Sequence, residues 1–465
     1  METLQRIYIF MLNPIGRVTS KLSVERKNLI LSICFFLISL QCFFYTTWEK
    51  YGVSFGYAEL LIINTVFFCI IIIFSIDKPL IMIEWNKDIY IPWFLCSVFM
   101  IAAGLHHSIT NALLFFAGLM LLVFPCFYFV WNNRTDYDLL YRIVSKAVIA
   151  AILFFYFINI LSVPYVAGQA YQGIAVNPNS IGIASIAGVI ASLYLVCVEN
   201  KNLWLYVVSA GISSAFAYFS VSRASIIAIL LAYIVFAIVY IRGSETIKLR
   251  INKKMIIMCA TIISILLSVV CVKFILTEIT PKTQPYIEHF LFESSYAENG
   301  SEEINEANDN LLMEKFSRGE DVASMSSGRT DIWRAYIKEL DFIGHERNEQ
   351  GLYIPEMYGE YSAHNSYIEI AYRCGILAGL LYAWIAIYAA IYSFRFLIGK
   401  KLYNYRYGII PMAVMAFGVL SNLERALYPF EKVHILLFFI ALAPMFVKQV
   451  KTSRKNEEND NEKLA

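Results

Sequence analysis

The sequence predicts an all-α, polytopic integral membrane protein with about 12 transmembrane helices and one large outward-facing loop that contains amphipathic helices. Of its 465 residues, 58% are hydrophobic and 16% are charged, and the mean hydropathy is +0.59. Soluble domains are about 45–50% apolar and about 25% charged, so the apolar excess is too large for one soluble core. The composition excludes a disordered, collagenous, nucleic-acid-binding or disulfide-scaffold protein.

Twelve apolar segments approach the roughly 20 residues that a helix needs to cross a bilayer. The chain therefore divides into a cytoplasmic N-terminus (1–27), transmembrane helices 1–9 (28–276), a large outer loop (277–365), transmembrane helices 10–12 (366–448) and a cytoplasmic tail (449–465). No cleavable signal peptide is expected, because the polar, basic start leads into a run of spanning length. The predicted spans are residues 28–46, 57–76, 90–106, 109–131, 143–163, 180–199, 203–221, 224–241, 255–276, 374–393, 408–422 and 433–448.

Lysine and arginine residues concentrate in alternate loops, which the positive-inside rule assigns to the cytoplasm. An even number of spans then leaves both chain ends inside. The opposite short loops have few cations, namely Lys50, Arg223, Arg425 and Lys432. The hydrophilic segment 277–363, with 18 acidic residues against 7 Lys or Arg and hence a net charge of −11, is predicted to face outward.

This outer segment has two parts of different character. Residues 298–306 and 317–327 are polar and poor in aromatic residues, which predicts a flexible crossing. Residues 330–340 place apolar side chains at helical spacing, which predicts an amphipathic helix lying on the membrane domain. The charged end of the tail, 457–465, is predicted to be disordered.

No metal or cofactor site is predicted. The nine cysteines lie in or at the edges of apolar runs, and none forms a pair with metal-ligand spacing, so they are interpreted as small buried hydrophobic residues. On the outer side, no Asp-x-Asp pair and no His/Cys cluster has convincing ligand spacing.

Two arginines on the outer side are candidate functional residues, because ionisable groups at a membrane are costly and tend to be functional. Arg223 lies in a very short turn between two spans; it either faces a site or anchors the helix at the interface. Arg329 follows Ser-Ser-Gly at the start of the amphipathic helix. Free backbone N–H groups beside an arginine make a phosphate cradle, whereas the alternative is an ordinary helix cap with a surface arginine.

Polar residues at three other outer positions extend this set. His364 and Asn365 stand where the loop re-enters the membrane, and a neutral imidazole there can accept a proton from a sugar hydroxyl or be purely structural. Asn179, within Asn-Pro-Asn-Ser at 177–180, either lines the site or belongs to a helix cap. Glu424 and Arg425 either add charge to this face or form a local ion pair.

The order of these motifs resembles the bacterial O-antigen ligase and O-antigen polymerase superfamily. The resemblance rests on a Ser-Arg turn (Arg223), Ser-Gly-Arg-x-x-x-Trp in one large outer loop (Arg329, Trp333) and His-Asn (His364, Asn365) with a glycine eleven positions after the histidine, and covers roughly residues 165–445. The chain departs from the family pattern at Phe342–Glu346 and at Arg373, and these departures bear on the acceptor side more than on the donor side.

The resemblance implies transfer of a glycan from an undecaprenyl-diphosphate carrier to a sugar hydroxyl, without metal or cofactor, at the periplasmic face of the bacterial inner membrane. It implies that Arg223 and Arg329 bind the diphosphate and that His364 is the general base or orients the acceptor. Asn365, Asn179 and Arg425 are expected to help bind substrate.

Four functions stay open on the sequence. A polymerase, whose acceptor is another lipid-linked repeat, is favoured over a ligase that uses lipid A core, because the acidic loop would repel a phosphorylated core. A flippase for lipid-linked oligosaccharide would instead place polar residues near the bilayer midplane, and a structural scaffold would not need Arg329 or His364. Membrane lipid, a chain-length regulator and a flippase are the expected partners, and nucleic acid is not.

Overall fold

The structure, a computed structural model, describes residues 2–50, 57–107, 112–199, 201–242, 251–284, 329–345, 351–399, 404–424 and 427–448. Sixteen α-helices and one short hairpin lie in these ranges. The helices are α1 Glu2–Thr19, α2 Val24–Lys50, α3 Tyr57–Phe74, α4 Lys87–His106, α5 Ala112–Gly118, α6 Phe124–Arg134, α7 Tyr137–Ser162, α8 Pro178–Val198, α9 Leu203–Phe219, α10 Arg223–Arg242, α11 Ile251–Phe274, α12 Arg329–Lys338, α13 Ser366–Cys374, α14 Ile376–Ile398, α15 Ile409–Leu423 and α16 Val433–Ala441. The strands are β1 Leu352–Ile354 and β2 Gly359–Tyr361, paired antiparallel with Leu352 opposite Tyr361.

The predicted fold class is confirmed, since the described chain is helical and apolar throughout its bundle. Nine of its helical stretches are long and apolar enough to cross a membrane, and three shorter apolar helices accompany them, at Glu59–Phe74, Leu203–Phe219 and Val433–Phe446. All twelve predicted spans overlap one of these helices. A π-turn, Leu119–Val123, joins α5 to α6 within one span. The total of twelve crossings stays a prediction.

Helix α8 is the centre of the bundle. Its apolar window is 94% buried, and α7, α9, α10, α15 and α16 pack around it. Gly188 allows this close approach, because a Cβ atom added there would lie 2.5 Å from the Ser213 Oγ of α9. The bundle thus holds the ends of α8, α10 and α15 at fixed positions.

Two stretches of helix lie outside the predicted spans. The N-terminal segment forms α1, whose Tyr8 hydroxyl donates to the Leu122 carbonyl oxygen at 2.7 Å. The helix of the ninth predicted span continues past residue 276, through a π-turn, to Gln284. There the Thr280 hydroxyl donates to the Ile160 carbonyl oxygen at 2.6 Å, which ties the extension to α7.

A small layer covers one end of the bundle. We call this end the loop face; it carries α12, the β1–β2 hairpin and the start of α13. The expected amphipathic helix is present as Arg329–Lys338, but its buried residues Ile332 and Tyr336 pack mainly on the hairpin and on α13. The expected flexible crossing, the Ser-Ser-Gly cradle at 326–328, Arg425 and the tail lie outside the described residues.

Candidate active site

Glu424, the residue directly after α15, brings two of the predicted site residues together. Its Oε1 accepts a hydrogen bond from Arg329 Nη2 at 2.8 Å, and its Oε2 lies 3.4 Å from His364 Nδ1. The side chains of Glu424, Arg329 and His364 are 12%, 22% and 38% exposed. Residues that are 95 and 60 positions from Glu424 therefore share one carboxylate in a partly open setting.

Helix α12 holds Arg329 in place through contacts to the segment that leads to His364. The Trp333 indole Nε1 donates to the Ala363 carbonyl oxygen at 2.7 Å, and the Tyr336 hydroxyl donates to the Tyr361 carbonyl oxygen at 2.8 Å. Burial, and then the negative charge of nearby Glu369, raises the pKa of Tyr336, so its hydroxyl stays a donor. The arginine and the histidine are thus mounted on one connected unit.

The backbone of His364 is in the left-handed region, with φ +46°, a conformation that costs a non-glycine residue free energy. Contacts on both sides hold it. Before it, the Ala363 N–H donates to Glu369 Oε2 at 3.2 Å. After it, Asn365 Oδ1 caps α13 by accepting from the N–H groups of Tyr367 and Ile368 at 3.0 and 3.1 Å.

The side chain of Asn365 makes its contacts within the protein, and its expected role in substrate binding stays a prediction. Its side-chain oxygen is committed to the helix cap, its amide donates to the Asn422 carbonyl oxygen at 3.5 Å, and the residue is 6% exposed. The contact to Asn422 ties the start of α13 to the end of α15, two residues before Glu424. The structure thus gives Asn365 the geometry of a residue that positions His364.

A second ion pair lies beneath His364. Arg373 and Glu369, four residues apart on α13, form a buried ion pair with side chains 6% and 0% exposed. The unusual Arg373 thus has a structural partner on its own helix. Gly375, at φ +87°, then breaks the helix where an added Cβ would collide with the Phe342 carbonyl oxygen.

The charges around Glu424 keep it ionised. Burial raises its pKa, but the hydrogen bond from His364 and the positive charges of Arg329 and Lys432 outweigh burial, and the pKa of Glu424 is lowered. Lys432, the residue before α16, is 25% exposed and its Nζ also lies 3.9 Å from Glu431 Oε1. The sequence indicated Lys432 only as one of four cations in the outer short loops.

Arg223 and Asn179 lie at this same end of the bundle. Helix α10 runs antiparallel to α15, since Gly408, before α15, contacts Val239 near the end of α10. Arg223, the first residue of α10, therefore lies at the loop face with the end of α15, and it is half-buried. Whether it joins the site stays a prediction.

The Ser-Arg turn packs on the start of α8. A Cβ added to Gly182 would lie 2.7 Å from the hydroxyl oxygens of Ser220 and Ser225. Asn177 caps α8 by accepting from the Ser180 N–H at 3.0 Å, and Asn179 is exposed in the first turn. The Ser-Arg turn and the start of α8, which are about forty residues apart in sequence, thus pack against each other.

The chemistry available here is that of cations and an acid–base group. Within the described ranges, no group of three His, Cys, Asp or Glu side chains is placed to hold a metal ion. Arg329 has further N–H groups besides the one that it donates to Glu424. Guanidinium groups bind phosphate through bidentate hydrogen bonds. His364, held by a carboxylate, has the arrangement of a general base.

A comparison with protein families bears on this geometry. A family model described as O-antigen ligase matches residues 208–383. That range contains Arg223, Arg329, His364 and Asn365. This part of the chain is therefore similar to the O-antigen ligase family. The match supports the resemblance found in the motif order. A comparison with curated proteins gave no match.

The similarity indicates a general activity. The apolar helices support a multi-pass membrane protein, and the matched family is typical of glycosyltransferase-type enzymes of polysaccharide biosynthesis, which act on a lipid-linked glycan and an acceptor. Glu424 lies beyond the matched range, although it joins two residues inside that range.

Proposed function

We propose that this protein is a polysaccharide polymerase that transfers an undecaprenyl-diphosphate-linked glycan to a sugar hydroxyl of another lipid-linked repeat unit, without a metal ion. The observation that carries the proposal is the shared carboxylate: Glu424 holds an arginine at 2.8 Å and a histidine at 3.4 Å. A diphosphate leaving group and a hydroxyl nucleophile need these two partners side by side.

The donor side of the reaction falls to the arginines. As the bond between the anomeric carbon and the phosphate oxygen breaks, negative charge grows on the departing undecaprenyl diphosphate. Arg329 stabilises that charge through its remaining N–H donors, and Arg223, at the same end of the bundle, supplies a second positive charge. Arg425 and Asn179 are proposed to contact the same substrate.

The acceptor side falls to His364. When Nδ1 carries the hydrogen that faces Glu424, Nε2 is left unprotonated and accepts the proton of the acceptor hydroxyl as its oxygen bonds to the anomeric carbon. Glu424 fixes this tautomer and stabilises the imidazolium that forms, which is the role of the carboxylate in other acid–base triads. Asn365, by capping α13, positions the imidazole.

The charge of the loop favours a polymerase over a ligase. The segment 277–363 has a net charge of −11, which suits an uncharged sugar end and disfavours a phosphorylated lipid A core at close range, since ionic screening acts beyond about 8 Å. The site is proposed to face the periplasm from the inner membrane, where a flippase supplies the lipid-linked repeat and a chain-length regulator acts on the product.

Product analysis in a strain that lacks the gene tests the proposal. For a polymerase in a lipopolysaccharide-making host, surface lipid should carry at most one repeat unit. Full-length polymer on the carrier, together with bare lipid A core, would show a ligase instead. Purified enzyme should keep its activity in EDTA; loss that magnesium or manganese restores would contradict the arginine mechanism.

Cysteine labelling tests the orientation. In a chain whose native cysteines are replaced, a cysteine at Asn308 should react with an impermeant maleimide and one at Ser244 should not. Equal labelling at both positions would overturn the proposed periplasmic site.

A further inference from the structure

A groove lies between α12 and β1. Its volume is about 450 Å³, within the roughly 300–1,000 Å³ of small-ligand sites. We call it the loop groove. The residues used below are Asp331, Arg334, Lys338, Glu339, Tyr353 and Glu356.

The two walls of the loop groove are the elements that carry the reacting groups. Helix α12 begins with Arg329 and presents Asp331 to the groove two residues later, and the hairpin continues through Ala363 into His364. At 1.5 Å per residue, the helix wall from Asp331 to Lys338 is about 10 Å long. The groove and the reacting groups Arg329 and His364 are therefore carried by the same two elements.

The chemistry of the loop groove matches a sugar chain. Three carboxylates and two cations line it, so its net charge is small. Sugar hydroxyl groups can donate hydrogen bonds to the carboxylates and accept them from the cations. Tyr353 adds an exposed aromatic ring, 56% accessible, for the C–H face of a sugar. The Arg334–Asp331 pair is 3.3 Å long and 72% and 49% exposed; pairs so exposed contribute little and exchange partners at low cost.

We propose that the loop groove binds the oligosaccharide part of a substrate, next to the sugar that reacts. The inference rests on the proposed glycan transfer and adds a binding site to it. The shared chemistry has two sources, the growing chain on the donor carrier and the sugars of the incoming acceptor. A groove with nearly balanced charge suits the uncharged sugars of either substrate.

Two tyrosines on the hairpin provide a matched test. Tyr353 lines the groove, whereas Tyr358, which is 90% exposed, does not line it. Binding of a lipid-free oligosaccharide several repeats long, released from the host's own surface polysaccharide, is measured by calorimetry on purified protein. Tyr353→Ala should weaken binding about fivefold to tenfold, the size of one lost aromatic contact, and Tyr358→Ala should leave it unchanged. Equal affinity in both variants would overturn the proposal.

Kinetics with substrates of different length show whether the groove holds the donor chain or the acceptor sugars. They also give a second measurement of the same binding site. If the groove holds the donor chain, Tyr353→Ala should raise KM for long-chain donors more than for single-repeat donors at unchanged kcat. If it holds the acceptor, KM for the acceptor should rise instead. Glu356→Gln, on the same hairpin wall as Tyr353, should show the same pattern more weakly. KM values equal to those of Tyr358→Ala at every length would reject the groove.

The underlying reaction is checked separately with His364→Ala. If His364→Ala is inactive and Tyr353→Ala behaves like Tyr358→Ala, the groove proposal is rejected and the transfer mechanism stands. If His364→Ala is active, the proposed transfer mechanism is rejected, whatever the result for the groove variants.

Discussion

Two of the carboxylate–arginine pairs at the loop face differ in burial and in sequence distance. Glu369 and Arg373 are four residues apart on one helix, with side chains 0% and 6% exposed. Glu424 and Arg329 come from different parts of the chain, are 12% and 22% exposed, and share the carboxylate with His364. The Glu369–Arg373 pair is thus buried in the protein, whereas the Glu424–Arg329 pair is partly exposed.

This difference separates a structural pair from a reactive one. A buried ion pair cannot exchange its partner for a ligand, and its loss leaves an uncompensated charge in the interior. Glu369 also accepts the Ala363 N–H, so the sealed pair fixes the backbone in front of His364. Glu424, Arg329 and His364 can reach a substrate without unfolding the layer, which suits them to binding and catalysis.

The sealed pair should give the largest effect on stability. Glu369→Gln leaves the Arg373 charge unbalanced and should destabilise the protein by about 3–5 kcal/mol, seen as a lower unfolding temperature in detergent and less protein in membranes. The double variant Glu369→Gln/Arg373→Met, which removes both charges, should recover most of the loss. A stable single variant would show that the pair is not a structural support.

The open pair should respond in activity and not in stability. Arg329→Lys keeps the charge but loses the two-pronged geometry for a diphosphate, and we expect about a 100-fold lower rate of glycan transfer, near the cost of one lost donor to a developing anion. The unfolding temperature should stay that of the wild type. The control is Arg395→Lys, an exposed arginine of α14. Full activity of Arg329→Lys would place the diphosphate elsewhere.

The carboxylate between the two groups should have a smaller effect. Glu424→Gln retains a hydrogen-bond acceptor for His364 but removes the negative charge that stabilises its protonated form, so transfer should slow about tenfold. Because Glu424 acts through His364, adding Glu424→Gln to His364→Ala should cost little more, as coupled positions show in a double-mutant cycle. Additive losses would mean that the two residues act independently.

The smallest expected effect is on the pH dependence of stability. The pKa of Glu424 is lowered in the folded protein, so its stabilising contribution is present above the ordinary carboxylate value of about 4.3 and is lost as pH falls through the lowered value. Between about pH 5 and pH 3, the wild type should lose up to about 1 kcal/mol more than Glu424→Gln does. Identical melting curves for both proteins across this range would contradict the ion pair.

The sequence was a good guide to the bundle because a bilayer imposes length and hydropathy on each crossing. Helix α1 was not predicted, because its buried residues Gln5, Tyr8 and Leu12 recur at helical spacing within a stretch of mixed polar and apolar residues that is not apolar enough for a span. The hairpin was not predicted from the sequence either, because two strands of three residues show almost no alternation of polar and apolar residues.

Part of the candidate site could be predicted in the same way. Arg329 and His364 stand out as charged or titratable residues at a membrane boundary, and their meeting follows from motif order. For Glu424 the sequence leaves open a charge on this face or a local ion pair with Arg425, because sequence shows neighbours and not the contact with Arg329 that folding creates. The capping position of Asn365 and the pairing of Arg373 likewise depend on where α13 begins, which hydropathy does not define.

The central claim is that His364, held by Glu424 beside Arg329, takes the proton in glycan transfer. Its most direct test is the rate of transfer from carrier-linked glycan by purified His364→Ala, with His345→Phe as the matched control. His345 also lies at the loop face, but its ring stacks on Tyr372 at 4.4 Å, and phenylalanine preserves that stacking. We predict a loss of about 10²–10⁴-fold for His364→Ala and near wild-type activity for His345→Phe. Wild-type rates in a folded His364→Ala enzyme would contradict the account.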